Sequence, residues 1–205
     1  AVRHLGWFRL LALARFAVRE SHCWWLGEGL SGRVLEGMLT FGGFSGQAYS
    51  PAGDKGRFVL PPLFRKAVKE SSEGRVLCLA KHDRWNCLIG FGLSRKSELE
   101  DQLDREEDRA LQRGVDFDRD MRAMQLFGFV ELPFDDSGRF VMPDHLRNLA
   151  NVDDGLYFHG GGRFFTIWNP SELAGMGEQW ESSQAACENL LKDAAVKAKS
   201  GARKK

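Results

Sequence analysis

The stretch GDKGRFVLPPLFRKAV (residues 53–68) returns 82 residues later as DDSGRFVMPDHLRNLA (135–150), and this repetition decides how the chain is read. Over the sixteen aligned positions seven are identical: Asp54/Asp136, Gly56/Gly138, Arg57/Arg139, Phe58/Phe140, Val59/Val141, Pro61/Pro143 and Arg65/Arg147. Each copy opens on a glycine-bearing turn and continues as a short β-prone run. In the first copy Phe58 and Leu60 alternate against Val59, the pattern of a strand with one buried face. Pro61-Pro62 then stops the strand and starts a helix, LFRKAVKES, because proline's fixed φ suits a first helical turn.

Outward from the first phrase, residues 45–50 form a short strand and SPAGDKG a turn, while VLCLAKH (76–82) and CLIGF (87–91) make a hairpin around DRWN. The second unit, 129–168, repeats that order: LAKH (79–82) faces LYFH (156–159), and the strand ends Phe91 and Trp168 correspond. Two copies imply an internal pseudo-twofold axis. A unit of about fifty residues buries too little surface by itself, so the copies must pair, with interleaved hairpins, around one shared core.

Between the copies lies a charged segment, 94–127. Its apolar positions Leu99, Leu103, Ala110 and Leu111, then Met121, Met124 and Leu126, fit two helices broken near Gly114, with the charges as a solvated face. After the second copy a helix is predicted over 178–198, packing through Trp180, Ala186, Leu190 and Leu191, followed by a disordered basic end, KAKSGARKK. The chain therefore divides into an N-terminal extension (1–37), a first module (38–93), a helical connector (94–127), a second module (128–175) and a C-terminal helix with tail (176–205).

Composition narrows the chemistry. The 205 residues, 43% of them hydrophobic, suffice for one substantial core or two small ones. Cys23, Cys78, Cys87 and Cys187 form no CxxC pair, and the five histidines are isolated, so neither a metal site nor a cofactor is expected and a reduced cytoplasm suits the chain. No GxSxG, HExxH or Walker sequence is present, and no small-molecule substrate or enzymatic activity is expected. The net charge of +1 is unevenly spread: residues 1–37 carry 5 basic and 3 acidic groups, 38–187 carry 18 and 23, and 188–205 carry 6 and 2. Any surface for nucleic acid must therefore be local. In the apolar run LGWFRLLALARFAV, Arg9 and Arg15 interrupt well before the roughly 20 residues of a membrane span, so no membrane association is expected. The domain pattern starts at Met38, and Glu36-Gly37 is compatible with a purine-rich ribosome-binding site. Residues 1–37 are therefore read as an upstream start, with Met38 as the expected native first residue.

The phrases DKGRFVLPPLFRKAV and DDSGRFVMPDHLRNLA, separated by a charged helical segment and each followed by a hairpin, resemble the MraZ family of bacterial transcriptional regulators over roughly 38–180. The resemblance implies an α+β fold with a mainly β core: two tandem AbrB-like modules forming a swapped-hairpin, double-split β-barrel with flanking helices. It also implies a homo-oligomeric ring that binds double-stranded promoter repeats, represses the division and cell-wall gene cluster with its own gene, and associates with the nucleoid. The family hallmark is Asp, three residues, then Arg, once per repeat. Asp135 and Arg139 satisfy it; in the first copy Gly53 stands in the aspartate's place, and Asp54 is the candidate substitute. The residues implied to meet DNA are Lys55, Gly56, Arg57, Ser137, Gly138 and Arg139, with Asp54, Asp135 and Asp136 orienting the turns.

A glycine apex lets a backbone approach phosphate, and an adjacent Arg or Lys reaches phosphate or guanine edges. A second reading of Arg57 and Arg139 is that they pair with Asp54 and Asp135 to hold the turn; the two roles are compatible. For Arg65 and Arg147 a helix-surface ion pair or subunit contact is expected, for His82 and His159 a repeated structural role, and for Phe58, Phe140, Trp85, Phe164, Phe165 and Trp168 core or interface packing. The rival function is an AbrB-type antitoxin or protein-interaction hub using the same barrel, although such modules usually carry one copy and a toxin-binding tail.

Overall fold

Each copy of the repeated phrase folds as strand, ribbon strand, helix and hairpin. The computed structural model describes residues 42–53 and 56–202, which belong to one compact unit, Thr40–Lys205. In the first copy these elements are β1 (Gln47–Pro51), β2 (Arg57–Val59), α1 (Pro62–Ser72), β3 (Val76–Lys81) and β4 (Leu88–Phe91). The connector forms α2 (Lys96–Arg113) and α3 (Arg119–Phe127). The second copy follows as β5 (Val130–Pro133), β6 (Arg139–Val141), α4 (Asp144–Leu149), β7 (Gly155–Gly160) and β8 (Phe165–Trp168), and α5 (Pro170–Ala174) and α6 (Glu181–Ala202) complete the chain. The reading of residues 1–37 and of Met38 as the start lies outside the described residues.

Six strands form one antiparallel sheet in the order β1-β7-β8-β4-β3-β5. Exchanging the two copies leaves this order unchanged, so the pseudo-dyad passes between β4 and β8. The first strand of each copy pairs with the hairpin of the other, β1 with β7 and β5 with β3. Strands β2 and β6 pair separately, with Phe58 opposite Phe140. The fold is thus α+β with a mainly antiparallel sheet. Among the described residues the strand pairing gives two sheets and no closed barrel: β1 and β5 end the six-stranded sheet, and the β2–β6 ribbon is a separate two-stranded one.

The shared core explains why neither copy stands alone. Phe58, Leu60, Phe64 and Val68 from one copy, and Phe140, Met142, Leu146 and Ala150 from the other, are all buried in one cluster. Helix α1 contributes Phe64 and Val68, one turn apart on one face. The Phe64 ring packs against Phe158 and Phe165 of the other copy, at 5.6 and 4.9 Å between centroids. The helix starts on Pro62 as proline's geometry favours, and it ends at Glu73, whose φ of 50° closes the last turn onto the Lys69 carbonyl.

The connector buries Leu99 and Leu103 and keeps most of its charges exposed, but some of them pair within the connector. Helix α2 ends at Gly114 (φ 63°), as its sequence suggests, and α3 starts with the Asp118 carboxylate accepting from the Met121 amide. Arg119 donates to Asp104 and Glu107 at 2.7 and 2.6 Å, and Arg122 to Glu106 and Asp83 at 2.6 and 2.9 Å. The acids of α2 are therefore the seat of α3. Helix α6 continues through Ala202 where a disordered end was expected. It lies against β1 and closes a second cluster in which Tyr157, Trp168, Cys87 and Cys187 are buried, with Trp85, Trp180, Leu190 and Leu191 packed around them.

Candidate nucleic-acid interface

Three-residue strands leave little choice of face. Strand alternation turns Phe58 and Phe140 into the core and Arg57, Val59, Arg139 and Val141 outward. Arg57 stands opposite Val141 and Val59 opposite Arg139, so the two arginines lie diagonally across the outer face, related by the pseudo-dyad. Val59 and Val141 are 40% and 57% exposed, which is unusual for β-branched residues with a core so close. Beside the ribbon runs a groove of about 520 Å³ lined by Arg57, Arg139, Asp135, Leu132, Pro133 and Val141. Bonds from Leu60 N to the Gly138 carbonyl (2.8 Å) and from Met142 N to the Gly56 carbonyl (3.2 Å) carry the ribbon into the two turns, one at each end.

The second turn is closed by its own backbone and by one carboxylate. Asp135 N donates to the Arg139 carbonyl at 3.0 Å, Gly138 N to the Asp135 carbonyl at 2.9 Å, and Arg139 N to Asp135 Oδ1 at 2.8 Å. Gly138 has φ 83°, a conformation other residues adopt only with strain. The Arg139 amide, followed by those of Ser137 and Gly138, holds the Asp135 carboxyl below the usual carboxylate range. The Asp135–Arg139 side-chain pair is long, 3.8 Å, and Arg139 is 65% exposed. An exposed pair of that length contributes little, so the carboxylate grips the backbone and leaves the guanidinium free for another partner.

In the first turn Gly53 N donates to the Arg57 carbonyl at 2.8 Å and Gly56 has φ 68°, matching Asp135 N to the Arg139 carbonyl and Gly138 in the second. A Cβ on Gly53 would stand 2.9 Å from the Arg57 carbonyl oxygen, closer than such contacts occur, so an aspartate there requires a local shift. Asp54 and Lys55 lie outside the described residues, and among those described Arg57 forms no ion pair. The structure thus brings Gly56, Arg57, Asp135, Ser137, Gly138 and Arg139 to one ribbon and its ends.

Asp136 ties the second turn to the first copy. Its carboxylate meets Arg75 at 2.8 Å and Lys69 at 3.9 Å, and its carbonyl accepts from Arg65 at 3.1 Å, all from the first copy. The identity of Arg65 and Arg147 was the one sequence signal for such contacts; Arg75 carried none.

The remaining polar candidates are structural. His82 Nδ1 accepts from the amides of Arg84 (3.0 Å) and Trp85 (3.3 Å), closing the β3–β4 turn while its ring stacks on Trp85. His159 Nδ1 lies 3.1 Å from Ser183 Oγ under α6. Burial pushes the Cys78 and Cys87 thiols up to about 12 and Cys187 to about 11, which keeps them neutral. Among the described residues no group of three or more His, Cys, Asp or Glu is placed to hold a metal, and no helix is long and apolar enough to cross a membrane.

The proteins this chain is similar to are named transcriptional regulators. The chain is 30% identical over 150 residues to the transcriptional regulator MraZ of Parvibaculum lavamentivorans, covering 73% of this chain and 89% of the relative. Against the transcriptional regulator MraZ of Rhodospirillum rubrum it is 32% identical over 144 residues, covering 68% and 87%, and against that of Roseiflexus castenholzii 32% over 127 residues, covering 62% and 81%. No protein-family model matches the chain. The chain belongs to the MraZ family of transcriptional regulators.

Proposed function

We propose that the chain is a DNA-binding regulator that lays the β2–β6 ribbon into the major groove. The observation that carries this reading is the pair of dyad-related arginines, Arg57 and Arg139, exposed on a two-stranded ribbon whose aromatic side is sealed in the core. The major groove is about 12 Å wide and admits such a ribbon. The guanidinium groups reach guanine edges, Val59 and Val141 supply apolar contact of the kind thymine methyls make, and Lys55 and the Ser137 hydroxyl meet phosphate where Gly56 and Gly138 let the backbone approach it. Asp135 orients the second turn, Asp136 anchors it to the first copy, and Asp54 serves the first turn.

The acidic balance of residues 38–187 argues against one subunit binding tightly alone. We place the ribbon in a double-split barrel within a homo-oligomeric ring, where several ribbons engage spaced promoter repeats together. The target is then the promoter of its own gene and of the division and cell-wall cluster, under repression by a cytoplasmic, nucleoid-associated protein. The relatives' names support the coarser part of this reading, a transcriptional regulator. The test is fluorescence anisotropy of the oligomer on its own promoter. Arg57→Ala and Arg139→Ala each weaken binding by about 1–3 kcal/mol with the fold intact; unchanged affinity in both rejects the reading and favours a protein-binding hub.

A further inference from the structure

Arg65 and Arg147 occupy equivalent places in the two copies, yet each reaches past its own turn to that of the other copy. Arg65, on α1, donates from Nη1 to the Asp136 carbonyl at 3.1 Å. Its Cδ and Nη1 lie 3.0 and 3.3 Å from where a Cβ on Gly138 would stand. Arg147, on α4, sets Nη1 and Cδ 3.3 and 3.7 Å from the same point on Gly56. Its side chain is 31% exposed, and its Nε is buried with no hydrogen-bond partner among the described residues.

The crossing follows from the ribbon. Because β2 and β6 run antiparallel, each strand ends beside the turn that starts the other, as the Leu60–Gly138 and Met142–Gly56 bonds record. The helix that follows within three residues therefore emerges beneath the foreign turn. An arginine one turn into that helix has the reach to lie under the glycine, where any side chain on the glycine would crowd it.

We propose that Arg65 and Arg147 are positioning residues that hold the opposite copy's turn in its DNA-competent shape, so that each turn is set by the other copy's helix. The proposal rests on the reading of the turns as the DNA site. The two braces are unequal. The second turn is held by Arg65 together with Arg75 and Lys69 on Asp136, whereas Arg147 is drawn toward Asp144 of its own helix at 3.6 Å.

The experiment uses the full chain with Arg65→Met and Arg147→Met, which keep an unbranched stem and remove the guanidinium. Amide hydrogen exchange is read at Gly138 and Arg139 and at Gly56 and Arg57. Arg65→Met is expected to speed exchange in the second turn alone and Arg147→Met in the first turn alone. On promoter DNA, Arg65→Met weakens binding about three- to tenfold, the scale of one hydrogen bond, with an unchanged salt slope because it touches no phosphate. That loss persists in an Arg57→Ala background and shrinks to less than about twofold with Arg139→Ala, since coupled sites are not additive. Arg65→Lys restores part of it.

Faster exchange in a variant's own turn, or equally in both, overturns the proposal, as does a lower melting temperature with unchanged DNA affinity of the folded protein. A salt slope reduced by about one in Arg65→Met also overturns it, by making Arg65 itself a phosphate contact. The crossed exchange pattern together with unaltered DNA binding by Arg57→Ala and Arg139→Ala keeps the braces and removes the turns' assignment to DNA.

Discussion

Asp135 shows how one carboxylate closes a turn through the backbone, by accepting from the Arg139 amide. Its ionised form is favoured in the folded chain, chiefly by the Arg139 amide. Its contribution is therefore complete above the unfolded aspartate value of about 3.9 and is lost as the pH falls through the lower folded value. Asp135→Ala is expected to weaken promoter binding several-fold at neutral pH while Asp135→Asn, which keeps an acceptor oxygen, recovers part; anisotropy titrations compare the two. His82 responds in a different window. Burial first, then Lys81 and Arg84, lower its pKa, with Asp83 opposing, and protonating Nδ1 removes the acceptor for two amides. The neutral ring's contribution is full above about pH 6.5 and falls as the pH drops toward the lowered folded value. Melting temperatures measured across that range should fall less steeply in His82→Ala than in the parent.

At the scale of elements, the ribbon depends on the core beneath it. Phe58 and Phe140 are cross-strand neighbours, 1% and 2% exposed, with ring centroids 6.2 Å apart. Truncating either to alanine empties the centre of the pseudo-dyad and is expected to cost about 3–5 kcal/mol, read by urea denaturation. Val141→Thr on the opposite face of the same strand should cost under about 0.5 kcal/mol, as exposed substitutions do. Much of this element was legible beforehand: the alternation of Phe58 and Leu60 against Val59, the proline that starts α1, and the glycine that ends α2 all act within a few residues. What held α3 was not. The acids of α2 read as a solvated face because nothing local says that Arg119 and Arg122 fold back onto them.

For the whole molecule, the pseudo-dyad makes the two copies one body with two unequal arms. The first turn carries Lys55 and lacks a carboxylate at 53; the second has Asp135 and is tied to the first copy through Asp136. If the chain assembles into the proposed ring of ribbons, its affinity should rise steeply between DNA bearing one promoter repeat and DNA bearing several, by more than the added number of sites. Titrating such fragments at two salt concentrations against the oligomer checks this, and equal affinity per repeat counts against a multi-ribbon grip.

The sequence by itself determined the duplication, the order of strands and helices, and which side of the ribbon is aromatic, because periodicity, proline and glycine act over a few residues. It also marked Asp135 and Arg139 as the complete hallmark pair and Gly53 as the departure from it. Only the tertiary structure decided that each copy's first strand joins the other copy's hairpin, that β1 and β5 end the six-stranded sheet, and that Arg65 meets a carbonyl 71 residues away. Contacts at that separation leave no local pattern, because they arise from how the antiparallel ribbon delivers each helix to the other copy's turn.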